Sequence, residues 1–216
     1  MVRQRQHAPL PAPRLYLVAP RVESAQELGH DLDQVLAAAD VAAVLLRLPD
    51  AGESSLMAYA RAIVPVAQGR GTALLLDGHP EIVVGAGADG AHLAGVDAFT
   101  AARDRLQPQR IAGAGGLRTR HDAMLAAERG ADYVMFGEPD NGRPLFSAIV
   151  ERVAWWAELF ETPCVGYAES LDEVAVLAAA GADFVALGPF VFSDSRGACA
   201  MMQAAAERLT APEPVK

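Results

Sequence analysis

The chain alternates between helix-like stretches and short apolar segments. Three times a helical stretch ends in Gly-Ala-Asp, at Asp89, Asp132 and Asp183, and an apolar segment follows directly. A glycine just past a helix can adopt the left-handed conformation that closes it, and an apolar run of about five residues is typical of a strand buried on both faces. The pattern predicts a repeated unit of helix, tight turn and buried strand.

Hydrophobic periodicity and turn residues extend this unit along the chain. Predicted strands cover 15–19, 42–48, 72–77, 89–94, 109–113, 131–136, 163–167 and 183–188. Predicted helices cover 24–39, 53–68, 80–87, 98–106, 120–129, 145–160, 171–180 and 197–209. Short strand-to-helix connections repeated in this way favour an α/β fold of the closed (β/α)8 type, the TIM barrel. An open doubly wound sheet is the alternative, because the sequence does not show closure.

Capping signals support three of the predicted helix starts. Ser24 with Glu27, and Ser170 with Glu173, match the reciprocal capping box, and Thr119 with Asp122 is a looser version of it. Each lies a few residues after a predicted strand. These starts place the residues that follow each strand at one rim of the barrel, where barrel enzymes carry their active sites.

Length and composition indicate one domain over residues 1–216, with residues 1–13 and 211–216 expected to be frayed termini. Of the 216 residues 52% are hydrophobic and only 6% are aromatic, which suits an interior of Ala, Val and Leu. The formal net charge of −9 argues against a nucleic-acid or anionic-membrane partner, since both need clustered Lys and Arg.

Two cysteines, Cys164 and Cys199, lack both a disulfide framework and metal-ligand spacing and are expected to be small apolar residues. No apolar stretch reaches the roughly 20 residues of a membrane span. The polar, proline-containing start is unlike a signal peptide, so a cytoplasmic location is expected.

The first strand, 15–18, and the segment 87–93 (Gly-Ala-Asp-Gly-Ala-His-Leu) resemble the thiamine phosphate synthase and TenI family of small barrels. The likeness extends over about residues 14–209. The resemblance implies thiamine biosynthesis: the synthases are transferases that join hydroxymethylpyrimidine diphosphate to a thiazole phosphate with Mg²⁺, and TenI relatives aromatise a thiazole phosphate. Phosphorylated small-molecule substrates and Mg²⁺ are therefore expected. Several phosphate-binding motifs of the family are replaced here, which indicates a divergent member.

The resemblance assigns diphosphate binding to Arg47, the survivor of the family's Gln-x-Arg-x-Lys motif. An Arg paired with a neighbouring carboxylate at a strand end is the alternative. Asp77 falls one place early for a Mg²⁺ ligand and could instead cap the next helix. Asp97 aligns with a second Mg²⁺ carboxylate, with a helix cap again the alternative. His92 is expected at the rim, where it could donate to a substrate or satisfy a carbonyl.

Further substrate contacts are expected around the rim. Gly115 stands where the family has a Ser, in a run that is either an anion-binding loop or an ordinary flexible turn. Glu169 and Pro189 replace residues of the family's phosphate cradle, and Glu169 should repel a phosphate. The other candidate substrate-binding residues are His79, Gly137, Gly188, Ser193 and Arg196, of which the last two could form a compensating site or a helix start.

Two alternatives to the synthase reaction remain. One is a non-catalytic barrel that binds a metabolite or a partner protein. The other is a barrel enzyme with a changed substrate, whose acid/base groups are His79, His92, Glu138 and Tyr167. Trp155 and Trp156 lie on one predicted helix and exceed what one helix face usually hides, so a homo-oligomer is a further possibility.

Overall fold

The computed structural model describes residues 12–139 and 142–210, which form eight strands and nine helices. The strands are β1 (Arg14–Val18), β2 (Val41–Leu46), β3 (Ala73–Asp77), β4 (Gly90–Ala94), β5 (Ile111–Gly115), β6 (Tyr133–Phe136), β7 (Cys164–Ala168) and β8 (Phe184–Leu187). The helices are α1 (Ala25–Ala38), α2 (Glu53–Gln68), α3 (Val83–Ala86), α4 (Val96–Leu106), α5 (Arg120–Glu128), α6 (Phe146–Leu159), α7 (Leu171–Ala179), α8 (Phe190–Ser193) and α9 (Ala198–Thr210).

The eight strands close into a parallel barrel in chain order, and β8 pairs with β1. Every neighbouring pair of strands is parallel. The predicted (β/α)8 barrel is therefore confirmed, and the open sheet is excluded. The frayed termini stay a prediction, because residues 1–11 and 211–216 lie outside the described residues.

The Gly-Ala-Asp repeat organises the N-terminal face of the barrel. Its glycines, Gly87, Gly130 and Gly181, have φ of 78°, 89° and 94°, the left-handed conformation that ends each helix. Each aspartate then accepts a hydrogen bond from a backbone N–H of the preceding strand. The bonds run from Leu74 to Asp89 (2.7 Å), from Ala112 to Asp132 (2.8 Å) and from Cys164 to Asp183 (2.8 Å). The motif thus ties neighbouring strands together at the end opposite the expected site.

Strand alternation separates two buried clusters. One lies between the sheet and the surrounding helices, and the smaller one fills the barrel itself. Tyr16, Leu45 and Leu75 belong to the inner cluster, so residues two places further along β2 and β3 point the same way. Arg47 and Asp77 are therefore directed towards the mouth of the barrel.

Three sequence predictions need correction. Strand β5 begins at Ile111 and ends at Gly115, so Gly115 belongs to a buried strand and not to a flexible turn. The third helix shortens to four residues, Val83–Ala86, and the short helix α8 was not predicted. All three predicted N-caps, Ser24, Thr119 and Ser170, accept the backbone N–H of the residue three places on. Among the described residues, the reciprocal contact back to the cap is found at Thr119 and Asp122, the pair that matched the motif less well. Glu173 instead contacts Arg143.

The aromatic helix α6 divides its two indoles between core and surface. Trp156 is fully buried and donates to the carbonyl of Thr162 at 2.7 Å. Trp155 is partly buried and packs against Phe160, with the guanidinium of Arg120 4.8 Å from its ring. A self-association surface here stays a prediction. Within the described residues, no helix is both long and apolar enough to cross a membrane.

Candidate functional site at the barrel mouth

Arg47 and Asp77 contact each other where β2 and β3 open into the mouth. Arg47 Nε lies 3.5 Å from Asp77 Oδ2, and the two side chains are 16% and 25% exposed. Both follow inward-facing leucines by two places, so Asp77 reaches the mouth despite its early position in the motif. The arginine thus has a carboxylate neighbour on the adjacent strand, the second of the two interpretations given above.

His92 and Glu138 form a short, buried polar contact at the mouth. His92 Nε2 lies 2.6 Å from Glu138 Oε1, and the two side chains are only 2% and 12% exposed. The backbone N–H of Gly116 donates to Glu138 Oε2 at 2.9 Å. His92 is the register partner of Asp77, so this pair lies beside the Arg47–Asp77 pair.

Two tyrosines continue from His92 into the barrel. His92 Nδ1 lies 2.9 Å from the Tyr133 hydroxyl, which lies 2.9 Å from the Tyr16 hydroxyl. Burial raises the pKa of both phenols well above the ordinary value, with Tyr16 raising that of Tyr133 further. Both phenols are therefore neutral at physiological pH.

Two glycines of β5 make room for this arrangement. A Cβ at Gly113 would overlap the ring of Tyr133, and a Cβ at Gly115 would overlap both Glu138 and His92. The absence of a side chain at these two positions is what lets the imidazole and the carboxylate meet above the strand. A serine at position 115, the residue that the resemblance leads us to expect there, would therefore be incompatible with this pair.

Glu138 lines an open hollow of about 380 Å³ between the ends of β4, β5 and β6. Arg118 and Arg152 also line it, as does Gly137, whose φ of 99° turns the chain at the end of β6. Arg152 donates to the carbonyls of Leu117 and Arg118 and so supports the β5–α5 loop. The exposed side chain of Arg118 stands at the edge of the hollow. The hollow therefore combines a carboxylate with a cationic group, at a size suited to a small ligand.

Asp97 lies apart from these two pairs. It is exposed in the first turn of α4 and lines a neighbouring hollow of about 440 Å³, together with Arg118, Asp122 and Arg129. Among the described residues, no three His, Cys, Asp or Glu side chains are grouped so that they could hold a metal ion. Asp77 already has Arg47 beside it. Among the described residues, the two carboxylates expected to bind Mg²⁺ therefore lie in different surroundings, Asp77 beside Arg47 and Asp97 in the neighbouring hollow.

An internal ion cluster lies beside the hollow that Glu138 lines, next to strand β7. Arg143 contacts Glu169 at 2.9 Å and Glu173 at 2.6 Å. Glu173 also accepts the backbone N–H of Glu169 at 2.7 Å, in the region where the resemblance led us to expect a phosphate cradle. The expected repulsion by Glu169 is thus offset by Arg143, but the N–H that a phosphate would use has an internal acceptor.

The remaining candidates lie away from the hollow that Glu138 lines. Arg196 is held by Asp194 at 2.8 Å, and hydrogen bonds from Arg196 lower the pKa of Asp194 to about 2. Ser193 donates back to the carbonyl of Phe190 rather than capping α9. The Tyr167 hydroxyl lies against Gly188, where a Cβ would overlap it. His79, with φ of 53°, faces Glu81 at 3.1 Å on the outer side of the rim.

Sequence reasoning named His92 and Glu138 as acid/base candidates but missed Tyr16 and Tyr133. The available signal was their position: both are inward-facing residues of strands buried on both sides, and a buried phenol usually has a hydrogen-bond partner for its hydroxyl. Another signal was Gly113, which leaves space beside an aromatic residue in the neighbouring strand β6.

Comparison with known proteins places this barrel in a family. Residues 15–191 match the family described as Thiamine monophosphate synthase. The thiamine-phosphate synthase of Rhodospirillum centenum is 35% identical over 192 residues, covering 87% of this chain and 93% of the relative. That of Hyphomonas neptunium is 34% identical over 208 residues, covering 91% and 93%.

Solved structures agree on the fold. A thiamine phosphate pyrophosphorylase from Pyrococcus furiosus superposes with a TM-score of 0.77 at 17% identity, covering 91% of this chain and 95% of that one. A 3-hexulose-6-phosphate synthase from Salmonella typhimurium superposes with a TM-score of 0.72 at 15% identity, covering 93% and 100%. From the sequence matches, the chain belongs to the thiamine monophosphate synthase family, as a divergent homologue of its curated synthases.

Proposed function

We propose that this protein is an enzyme that moves a proton on a phosphorylated heterocycle, with Glu138 as the group that contacts the substrate. The observation that carries the proposal is the 2.6 Å contact between Glu138 and the buried His92 beside an open hollow. A carboxylate paired with an imidazole is a common general acid/base arrangement. Membership of the family supports a phosphorylated substrate.

The reaction is an isomerisation. One carboxylate oxygen of Glu138 removes a proton from a ring atom of the substrate, and the resulting acid returns the proton to another ring atom. No atom is gained or lost, so the enzyme ends as it began. Each oxygen of Glu138 already accepts one contact, from His92 or from Gly116, and has a second lone pair for the substrate.

Arg118 supplies the phosphate contact in this proposal. Its exposed guanidinium stands at the edge of the same hollow as Glu138, and an Arg can grip phosphate oxygens through two parallel hydrogen bonds. Arg143, which lies between two residues that line the same hollow, is already engaged with Glu169 and Glu173. The substrate phosphate is therefore assigned to the β5–α5 side of the hollow.

The coupling of hydroxymethylpyrimidine diphosphate to thiazole phosphate is a second candidate. Identity of 35% to a curated thiamine-phosphate synthase favours it, and so does the presence of Arg47, Asp77 and His92 at the mouth. Against it stands the poor fit to Mg²⁺, since Asp77 faces Arg47 and Asp97 lines the neighbouring hollow, which shares Arg118 with the hollow of Glu138. No step of the proposed isomerisation uses a metal ion.

One pair of assays separates the candidates. In D₂O, purified protein is incubated with a thiazole phosphate that carries an exchangeable ring C–H, with EDTA or with Mg²⁺, and exchange is followed by proton NMR. In parallel, both synthase precursors are supplied and thiamine phosphate is measured. We expect catalysed exchange that EDTA does not reduce. Thiamine phosphate formed only with Mg²⁺, without exchange, would establish the coupling instead, and neither activity would leave a binding protein.

A further inference from the structure

A line of hydrogen-bonded side chains runs from Glu138 at the mouth into the barrel and ends at Tyr16. Tyr16, Tyr133 and His92 are 2%, 6% and 2% exposed and lie on strands β1, β6 and β4. Their polar atoms form a line: Tyr16 hydroxyl, Tyr133 hydroxyl, His92 Nδ1, with 2.9 Å at each step. Beyond His92 the line continues from Nε2 to Glu138.

The number of hydrogens available on these groups determines which of them donates and which accepts in each hydrogen bond. Each phenol has one hydrogen to donate. Among the described residues, the Tyr16 hydroxyl has a hydrogen bond with the Tyr133 hydroxyl alone. If Tyr16 donates to Tyr133, the hydrogen of Tyr133 is left for His92 Nδ1, and every group in the line is satisfied.

The opposite direction leaves one group unsatisfied. A hydrogen on His92 Nδ1 would have to be donated to the Tyr133 oxygen, and Tyr133 would then donate to Tyr16. The Tyr16 hydrogen would be buried without an acceptor, which is costly in a protein interior. Loss of the unsatisfied hydrogen by ionisation of a phenol is disfavoured, because burial raises the pKa of both tyrosines.

We propose that Tyr133, supported by Tyr16, is a positioning residue whose hydroxyl donates to Nδ1 of His92. The imidazole is then neutral and carries its hydrogen on Nε2, directed at Glu138. Glu138 consequently accepts hydrogen bonds from two N–H groups, those of His92 and Gly116. It is therefore an unprotonated carboxylate held in position to take the first proton from the substrate. This last consequence rests on the proposed function, whereas the position of the imidazole hydrogen does not.

The parallel stacking of the two rings fits this role. The imidazole and the Tyr133 ring lie 5.7 Å apart at an interplanar angle of 17°, so the phenol is held beside the imidazole as well as bonded to it. Gly113 leaves the space in which the Tyr133 ring lies. The position of the hydroxyl is thus fixed by packing, which is what a positioning group needs.

Nitrogen NMR of the His92 side chain at neutral pH tests the proposal without substrate. In the wild-type protein we expect Nε2 to carry the hydrogen and Nδ1 to give the shift of an unprotonated nitrogen that accepts a hydrogen bond. In Tyr133→Phe, Nδ1 should lose that hydrogen-bond shift. Tyr59→Phe is the matched control, because Tyr59 donates to the carbonyl of Val22 and makes no contact with His92, so the Nδ1 signal should not move.

Two results would overturn the proposal: a protonated Nδ1 in the wild-type protein, or an identical Nδ1 signal in wild-type and Tyr133→Phe. Kinetics supply a second readout. If the proposed reaction takes place, Tyr133→Phe should lower kcat about tenfold, the effect of one hydrogen bond, with little change in KM. If the nitrogen signals are as expected but the protein catalyses no exchange, the proposed function is wrong. The assignment of the imidazole hydrogen to Nε2 would still hold.

Discussion

Gly115 and Glu138 lie against each other at the barrel mouth, so a side chain at position 115 would overlap the Glu138 carboxylate. The relationship explains why the fifth strand ends in a glycine. Because the strand passes directly beneath the His92–Glu138 contact, the backbone itself forms the floor of the site. The His92–Glu138 contact therefore requires a residue without a side chain at position 115.

The first prediction follows from that contact. Gly115→Ala should separate His92 from Glu138, abolish the proposed exchange activity and lower the free energy of unfolding by about 1–3 kcal/mol, the usual cost of overpacking a buried position. Thermal or urea unfolding and the exchange assay measure the two effects.

Gly29→Ala is the matched control for this change. Gly29 lies inside helix α1, where a Cβ would make ordinary contacts of 3.6 Å to Ile63 and 3.7 Å to Val66. This substitution should raise stability by about 0.5–1 kcal/mol, because alanine is the better helix former, and leave activity unchanged. Equal tolerance of alanine at both positions would contradict the geometry described.

A second prediction concerns the Gly-Ala-Asp repeat. Asp132→Ala removes the acceptor of the Ala112 N–H and should cost about 1–3 kcal/mol of folding stability, the effect of leaving a buried donor unpaired. Activity at the opposite end of the barrel should persist. Asp104→Ala is the control, since the Asp104 side chain is 91% exposed. Similar melting temperatures for the two variants would show that the Asp132 bond does not hold the strands together.

The third prediction compares two arginines of the mouth. Arg118→Gln should weaken binding of a phosphorylated thiazole roughly 10- to 100-fold, the range expected for losing a charge-assisted hydrogen bond. Arg143→Gln should leave that affinity nearly unchanged and lower stability instead, because Glu169 and Glu173 would face each other without a cation. Calorimetric titration measures both affinities. The reverse pattern would move the phosphate to the β7 side of the mouth.

A fourth prediction uses the two thiols. Burial in β7 raises the pKa of Cys164 to about 12, so its thiolate is scarce at neutral pH, whereas Cys199 is only half-buried on α9. A thiol reagent should label Cys199 rapidly and reach Cys164 only on unfolding. In a Cys199→Ser variant, labelling should therefore be slow in buffer and fast in denaturant. Rapid labelling of that variant in buffer would mean that β7 is not buried.

The barrel could be predicted from sequence because its signals are local. The Gly-Ala-Asp repeat combines a helix end, a tight turn and the start of a strand within a few residues, and the structure reproduces all three copies. Errors arose where local signals were ambiguous. The glycine-rich run at 112–116 is typical of a loop, but its glycines lie mostly in β5 because Tyr133 and Glu138 occupy the space beside them.

The candidate site could be predicted only in part, because its contacts join distant segments. His92 and Glu138 are separated by 46 residues, and Tyr16 and Tyr133 by 117, so no spacing rule connects them. Glu173 shows the same limit: its local sequence fits a capping box, yet a tertiary contact with Arg143 takes its carboxylate. Family resemblance drew attention to His92, whereas the early position of Asp77 in the motif put its place at the mouth in doubt, although the structure directs it there.

The most direct test of the central claim is the rate of ring-proton exchange in D₂O by wild-type protein, Glu138→Gln and Glu151→Gln, all without added metal. Glu151 pairs with Arg120 on the outer surface and carries the same substitution as a control. We predict a loss of about 100-fold or more for Glu138→Gln, the usual contribution of a general acid or base, and no loss for Glu151→Gln. Equal exchange rates for the three proteins would contradict the assignment of Glu138 as the base.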